Sequence, residues 1–231
     1  MYCAWLIDEA ATHPERDVQA ESRLLLELLT PIVKAWPAEW CLAANDLAIQ
    51  VHGGAGYTRD YPVEQFWRDN RLNPIHEGTN GIQALDLLGR KVMMQEGAAL
   101  QLLARRIGDT LAEAADSIDA DSTHQSGLLA SALERVIAVT RQLGGEADID
   151  QRLANAHTYL LALGHVVVAW LWLSQSLAAQ RIDTERDQDF IAGKKQACRY
   201  FFNCELNKVA GWLDLVASAE STALTMQAAW F

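Results

Sequence analysis

The chain is predicted to be all-α, an antiparallel helical bundle with a second helical bundle attached. Three observations lead there. Apolar residues recur at helical spacing, as in Leu24, Leu25, Leu28 and Leu29 and again in Phe202, Leu206, Val209, Leu213 and Val216. No stretch shows the convincing apolar–polar alternation of a half-buried strand, and no segment repeats. Prolines and glycine clusters fall where helices would end or restart.

Residues 1–12 read as a helix with Trp5, Ile7 and Ala11 among its apolar positions. No Ser, Thr, Asp or Asn precedes Tyr2, so this helix opens without a start signal, as an element that begins upstream would. His13-Pro14 ends it. Residues 15–30 form a second helix, and Pro31 and Pro37 then bend or restart the chain. Residues 39–51 are helical again, with Trp40, Ala44, Leu47 and Val51 on one face, until Gly53-Gly54-Ala55-Gly56 stops them. Pro62 suits the first turn of a short charged helix over 63–71, which Asn73-Pro74 closes. Residues 75–79 are loop. Thr79 or Asn80 caps the next helix, Asn80 with Gln83 approximating a capping box. From Ile82 the row Leu85, Leu88, Val92, Leu100, Leu103, Ile107 and Leu111 predicts one helix of about eight turns. An acidic connection over 116–126 leads to a helix over 128–143, ended by Gly144-Gly145. A helix over 150–181, a charged turn over 183–189 and a last helix over 190–219 complete the chain. The motif-rich part is placed at residues 1–95 and a helical extension at 96–231.

Composition narrows the function. A net charge of -11 is poorly suited to phosphate backbones or anionic lipid, although helix ends and backbone amides still supply local positive potential. Cys3, Cys41, Cys198 and Cys204 form no CxxC pair and show no zinc spacing. Their apolar, helical contexts read as reduced, buried thiols of a cytoplasmic protein. MYCAWLIDEA lacks the pattern of a secretory signal. The apolar run from residue 159 to 173 carries His165 and is shorter than the roughly 20 residues of a membrane span, so it reads as a core helix.

Several polar residues admit two readings. Glu77 sits in a loop at a helix entrance, where a carboxylate either makes a favourable dipole contact or, desolvated by apolar neighbours, serves as a general base. The glycines at 53, 54 and 56 either stop a helix or let the backbone approach a bulky ligand; following a helix, they are no dinucleotide fingerprint. His52, His76, Asp60 and Asp69 fit no metal spacing, so no metal is expected. Arg59-Asp60 and Arg68-Asp69 read as ion pairs that fix the loop. His157 and His165 lie two turns apart in an apolar helix and read as core or interface histidines. The tryptophans fall mostly at core spacing, and the acids from Glu113 to Asp121 read as a solvated face.

Together, QVHGGAGYTRDYPVEQFWRDNRL and IHEGTNGIQALDLLGRK resemble the C-terminal helical domain of the acyl-CoA dehydrogenase family. That family carries Gln-x-x-Gly-Gly-x-Gly-Tyr, then an Arg-Asp pair, then Ile-Tyr-Glu-Gly-Thr, and all three occur here in order. LLTPIVKAWPAEW is similar to a bacterial subgroup, of the 3-methylmercaptopropionyl-CoA dehydrogenase type, that carries an extra C-terminal helical domain. The resemblance is specific over residues 1–91 and architectural beyond.

The resemblance implies that Glu77 removes the α-proton of an acyl thioester while the β-hydrogen leaves as hydride to FAD, giving a trans-2-enoyl-CoA. It implies Gly78 beside the thioester, Thr79 and Gly81 at the flavin, and Gln50, Val51, His52, Gly53 and Gly54 at the FAD of a neighbouring subunit, hence a homodimer or homotetramer. An electron-transfer flavoprotein or similar acceptor would reoxidise the flavin. Two departures stand out: His76 replaces the family tyrosine, and the N-terminal helical and middle β-domains are absent, so the chain is expected to be part of a longer enzyme. A non-catalytic helical assembly module is the rival reading. A role in nucleic-acid protection is a third, disfavoured by the charge.

Overall fold

The computed structural model describes residues 1–76, 78–182 and 187–230. All regular elements among the described residues are helical, and the chain forms two compact units, Met1–Lys91 and Val92–Phe231.

The first unit is built on one helix. α1 (Tyr2–Thr12) ends at His13 and packs against α2 (Arg16–His52). Ser22 donates to Glu9, Arg23 Nη2 to the Ala10 carbonyl at 2.8 Å, and Gln19 Nε2 to the His13 carbonyl at 2.6 Å. The buried residues of α1 are Leu6 and Ala10, one turn apart, while Trp5 and Ile7 are 47% and 54% exposed. The predicted apolar positions therefore missed the face that α2 covers.

α2 also departs from expectation, because it runs unbroken through Pro31 and Pro37. Each internal proline costs about 3 kcal/mol through its missing amide and its clash with the preceding turn. Leu25, Leu28, Leu29 and Ile32 are almost fully buried on the same helix, each contributing about 1.5–3 kcal/mol, so burial outweighs both prolines. The distal face predicted from Ala44, Leu47 and Val51 is exposed, Leu47 by 64% and Val51 by 84%.

α3 (Val63–Asn70) and α4 (Asn80–Gly89) pack along α2. α4 runs antiparallel to it: Asn80 Nδ2 donates to Glu39 Oε2 at 3.3 Å, and the buried Lys91, just past α4, pairs with Glu27. The predicted eight-turn helix does not form. α4 stops at Gly89, a 3-10 turn follows at Lys91–Met93, and Gln95, Glu96 and Gly97 are left-handed with φ of 49°, 57° and 84° at the start of α5 (Met94–Ala115). Leu88, Val92 and Leu100 keep helical spacing across this break, so periodicity does not register it.

In the second unit α5 is followed by α6 (Ala120–Gly144), α7 (Ile149–Leu153), α8 (Ala156–Gln180), α9 (Gln188–Tyr200), α10 (Lys208–Ala217) and α11 (Thr222–Thr225). α8 is the core. It is long and apolar enough to cross a membrane by length and composition, yet it packs against α5, α6, α9 and α10 and buries most of its length. The connection before α6 is shorter than expected, and its acids are not simply solvated. Asp119 Oδ2 accepts from Ser122 at 3.0 Å and from Gln180 at 3.1 Å, Glu113 pairs with Arg181, and Asp121 pairs with Arg199. The helix expected over 150–181 is divided at Ala154 and Asn155, with Asp148 capping α7. The expected last helix is interrupted by a π turn at Phe201–Glu205, marked by Leu206 N–H donating to the Phe201 carbonyl at 2.9 Å. Residues 183–186 of the expected charged turn lie outside the described residues.

Two side-chain expectations change. Cys198 is buried, its thiol pushed up to about 12 mainly by desolvation, but Cys41 and Cys204 are exposed. His165 is fully buried, whereas His157 is exposed. His165 Nδ1 donates to the Leu161 carbonyl at 3.0 Å, and Nε2 lies 3.6 Å from Glu205 Oε2, which also pairs with Lys208. Phe201 and Trp212 pack on the ring.

Burial holds the His165 pKa below its usual 6.5, against the opposing pull of the Leu161 carbonyl and Glu205. The unfolded chain therefore takes up this proton first, and stability present above about pH 6.5 is lost as the pH falls below that value toward the lowered pKa of the folded state. Thermal melts from about pH 7 to about pH 5 are expected to show a smaller acid-side drop in His165→Gln than in the wild type.

Candidate functional site

The candidate residues lie in two places along α2. At its C-terminal end Gln50, Val51, His52, Gly53 and Gly54 are all exposed. Gly53 ends the helix with φ 60° and ψ -145°, its N–H bonded to the Gln50 carbonyl, and opens a 3-10 turn over Gly53–Tyr57. His52 Nδ1 donates to the Ala48 carbonyl at 2.9 Å, and its ring centroid lies 4.8 Å from that of Tyr61. The expected Arg68-Asp69 pair is replaced by Arg68 Nη1 to Glu64 at 3.3 Å, one helical turn apart on α3. Arg59 and Asp60 are both exposed.

The three glycines here have different reasons for being glycine. Gly53 needs its positive φ. Gly56 is buried, and a Cβ would stand 2.7 Å from the Ile49 carbonyl oxygen and 2.8 Å from His52 Cβ. Gly54 is exposed, its φ is not left-handed, and a Cβ would meet nothing within 4 Å. The fold accounts for the first and third of the cluster and leaves the middle one unexplained.

The second place is the entrance of α4. Glu77, the sequence-predicted base, lies outside the described residues. Next to it in the chain, Gly78 has φ 91°, and a Cβ there would fall 2.5 Å from Gln83 Nε2. Thr79 is the N-cap, its Oγ1 accepting from the Ile82 N–H at 3.4 Å. Gly81 is exposed in the first turn, with only Thr79 Oγ1 near a Cβ, at 3.9 Å. Beside this entrance is a cavity of about 380 Å³, lined by Lys34, Pro37 and Cys41 of α2 together with Asn70, Asn73, His76 and Gly78. Lys34 and Gln83 did not stand out as site residues in the sequence. Lys34 carries no motif, and Gln83 reads as half of a capping box, whereas its buried side chain backs Gly78.

The two places are well separated. Asn80 reaches Glu39, while Gly53 lies fourteen positions further along the helix, about 20 Å at 1.5 Å per residue. Thr79 and Gly81 thus share one end of α4, and Gln50 to Gly54 do not join them. No group of three His, Cys, Asp or Glu residues suited to a metal occurs among the described residues.

Comparison with known proteins matches residues 3–93 to the acyl-CoA dehydrogenase C-terminal domain and residues 103–227 to the acetyl-CoA dehydrogenase C-terminal-like family. The chain is 32% identical to 3-methylmercaptopropionyl-CoA dehydrogenase of Ruegeria pomeroyi over 82% of its own length and 32% of that protein's. It is 25% identical to the broad-specificity linear acyl-CoA dehydrogenase FadE5 of Mycobacterium tuberculosis, covering all of this chain and 40% of FadE5. It thus spans about a third to two-fifths of these relatives. Among solved structures, Caenorhabditis elegans ACDH-11 in complex with C11-CoA superposes with a TM-score of 0.74 at 18% identity, over 98% of this chain and 37% of that one. An acyl-CoA dehydrogenase from Bacillus anthracis complexed with FAD gives 0.67 at 21% identity, over 95% and 38%. At these identities the two structures speak for the fold alone.

The glycine analysis separates two substitutions in one turn. Gly56→Ala is expected to destabilise by about 1–3 kcal/mol, because backbone atoms stand in the way. Gly54→Ala is expected to stay within about 0.5 kcal/mol of the wild type. Denaturant melts followed by circular dichroism check both.

Proposed function

The chain belongs to the acyl-CoA dehydrogenase family, and from that premise we propose that it is the base-bearing C-terminal part of an FAD-dependent enzyme oxidising an acyl-CoA to its trans-2-enoyl-CoA. The observation that carries this reading is the glycine the fold does not need. Gly54 is exposed, its φ is not left-handed, and nothing stands within 4 Å of where a Cβ would be, as at a backbone reserved for close approach by a large group.

In this reading Glu77 takes the α-proton of the thioester. That proton is weakly acidic, so the base works only in concert with removal of the β-hydrogen. Gly78 lies beside the thioester, where its positive φ and the Gln83 amide behind it exclude a side chain. Thr79 and Gly81 contact one flavin, while Gln50, Val51, His52, Gly53 and Gly54 cradle that of a neighbouring subunit. When bound, FAD supplies the two-electron acceptor. A separation of about 20 Å along α2 suits residues that serve two cofactors rather than one, and hence a homodimer or homotetramer. An electron-transfer flavoprotein or similar protein accepts the electrons. His76 in place of tyrosine changes the packing around the substrate.

A second reading, a helical assembly module without catalysis, is favoured by the exposed Leu47 and Val51 on the distal half of α2. The two readings separate in the longest reading frame that contains this chain, through flavin absorbance and acyl-CoA-dependent dye reduction. Glu77→Gln is expected to keep its flavin and lose about 10²–10⁴-fold in turnover; wild-type turnover would remove Glu77 from the mechanism. Gly54→Leu is expected to lose flavin while melting at the temperature of the flavin-free wild type, and full flavin content in that variant would overturn the cradle.

A further inference from the structure

We infer that Gln83 is a positioning residue: its carboxamide holds Gly78, and with it the turn at the entrance of α4, in place for the proposed reaction. This rests on the reading above, in which Gly78 stands beside the thioester. The contact that carries it is direct. A Cβ on Gly78 would fall 2.5 Å from Gln83 Nε2, with Gln83 Cδ at 3.7 Å, and among the described residues nothing else comes within 4 Å of that point. The amide is therefore in van der Waals contact with Gly78 itself, and a single side chain closes that side of the glycine.

The helix does not call for a glutamine there. A capping box places Gln or Glu at the third helical position, where the side chain can turn back to the cap residue. With Thr79 as the N-cap, that position belongs to Ile82, whose N–H donates to Thr79 Oγ1 at 3.4 Å. Gln83 comes one place later, and its backbone N–H makes the ordinary helical bond to the Thr79 carbonyl at 3.0 Å. Yet Gln83 is only 9% exposed. Ordering so long a side chain costs rotamer freedom, and its contact with the turn offsets that cost.

Gly78, with φ 91°, has few steric limits of its own, so its conformation is set by what surrounds it. The turn is held from other sides as well. Asn80 N–H donates to the Pro74 carbonyl at 3.1 Å, which closes the loop, and Asn80 Nδ2 reaches Glu39 of α2 at 3.3 Å. Gln83 supplies the support on the side where a Cβ would point. Shortening it opens a space into which Gly78 can move, and a displacement of about 1 Å at a reacting centre costs up to about 10²-fold in rate.

The test compares Gln83→Ala with Gln83→Asn, which keeps the amide but is one methylene shorter, and with Gln83→Met, which keeps the length. Hydrogen exchange in the 231-residue chain reads the turn without flavin. The Asn80 amide is expected to exchange about tenfold faster in Gln83→Ala and Gln83→Asn, and at the wild-type rate in Gln83→Met. Turnover is measured in the longest reading frame with a straight-chain acyl-CoA deuterated at its α-carbon. There the two shortened variants are expected to lose about 10–10²-fold in kcat, with KM within about twofold of the wild type. Their α-deuterium isotope effect is expected to rise, as proton removal becomes rate-limiting, and Gln83→Met is expected to recover both. Leu87→Val loosens the buried face of α4 one turn further on; it is expected to lower the melting temperature and leave the isotope effect unchanged. Wild-type exchange at Asn80 in Gln83→Ala, or a Gln83→Met as slow as Gln83→Ala, would overturn the proposal. Wild-type turnover in Glu77→Gln would instead remove the function reading, and the Asn80 exchange would still decide whether Gln83 holds the turn. If Gln83→Ala fails to fold, Gln83→Asn carries the same comparison.

Discussion

Two prolines inside a helix would ordinarily end it, and α2 continues because the residues around them are buried against neighbouring helices. The whole first unit depends on that balance. α1, α3 and α4 all pack on α2, and both candidate segments take their positions from it. Glu39, which holds the entrance of α4 through Asn80, lies beyond both prolines on the same stretch as Gly53, so the two candidate segments sit at a spacing set by the count of residues between them.

This continuity explains what could and could not be read in the sequence. The class, the glycine stop at Gly53, the short helix after Pro62 and the cap at Thr79 are local. Each follows from the conformational limits of a few neighbouring residues. The unbroken α2 is not local, because the burial that offsets Pro31 and Pro37 comes from helices distant in sequence. The break at Gln95 to Gly97 is hidden for a related reason: apolar spacing reports which side of a helix is covered, and Val92 and Leu100 keep step across it.

The same limit applies to the candidate site. Ordered motifs brought Gln50 to Gly54 and Glu77 to Gly81 into view, but the reason for each glycine was illegible until neighbouring atoms were placed. Gly56 has a structural cause in the Ile49 carbonyl, and Gly54 is left as the one glycine of its cluster without one. Charged residues were the least legible. Arg68 takes Glu64 rather than the adjacent Asp69, and Asp119 and Asp121, which look solvated in sequence, join α6 to α8 and α9.

The π turn at Phe201–Glu205 also fixes a length. Cys198, Phe202 and Leu206 are all buried at successive four-residue steps, which in an ideal helix would drift by about 80° over the two steps. The widened turn absorbs that drift, so Val209, Leu213 and Val216 still point inward. Asn203 and Cys204 lie exposed on its outer side, free to vary in identity yet fixed in number. Losing either would turn α10 by about 100° and expose its buried row. Across descendants of this sequence, the last helices would therefore accept many spellings but only one count of letters.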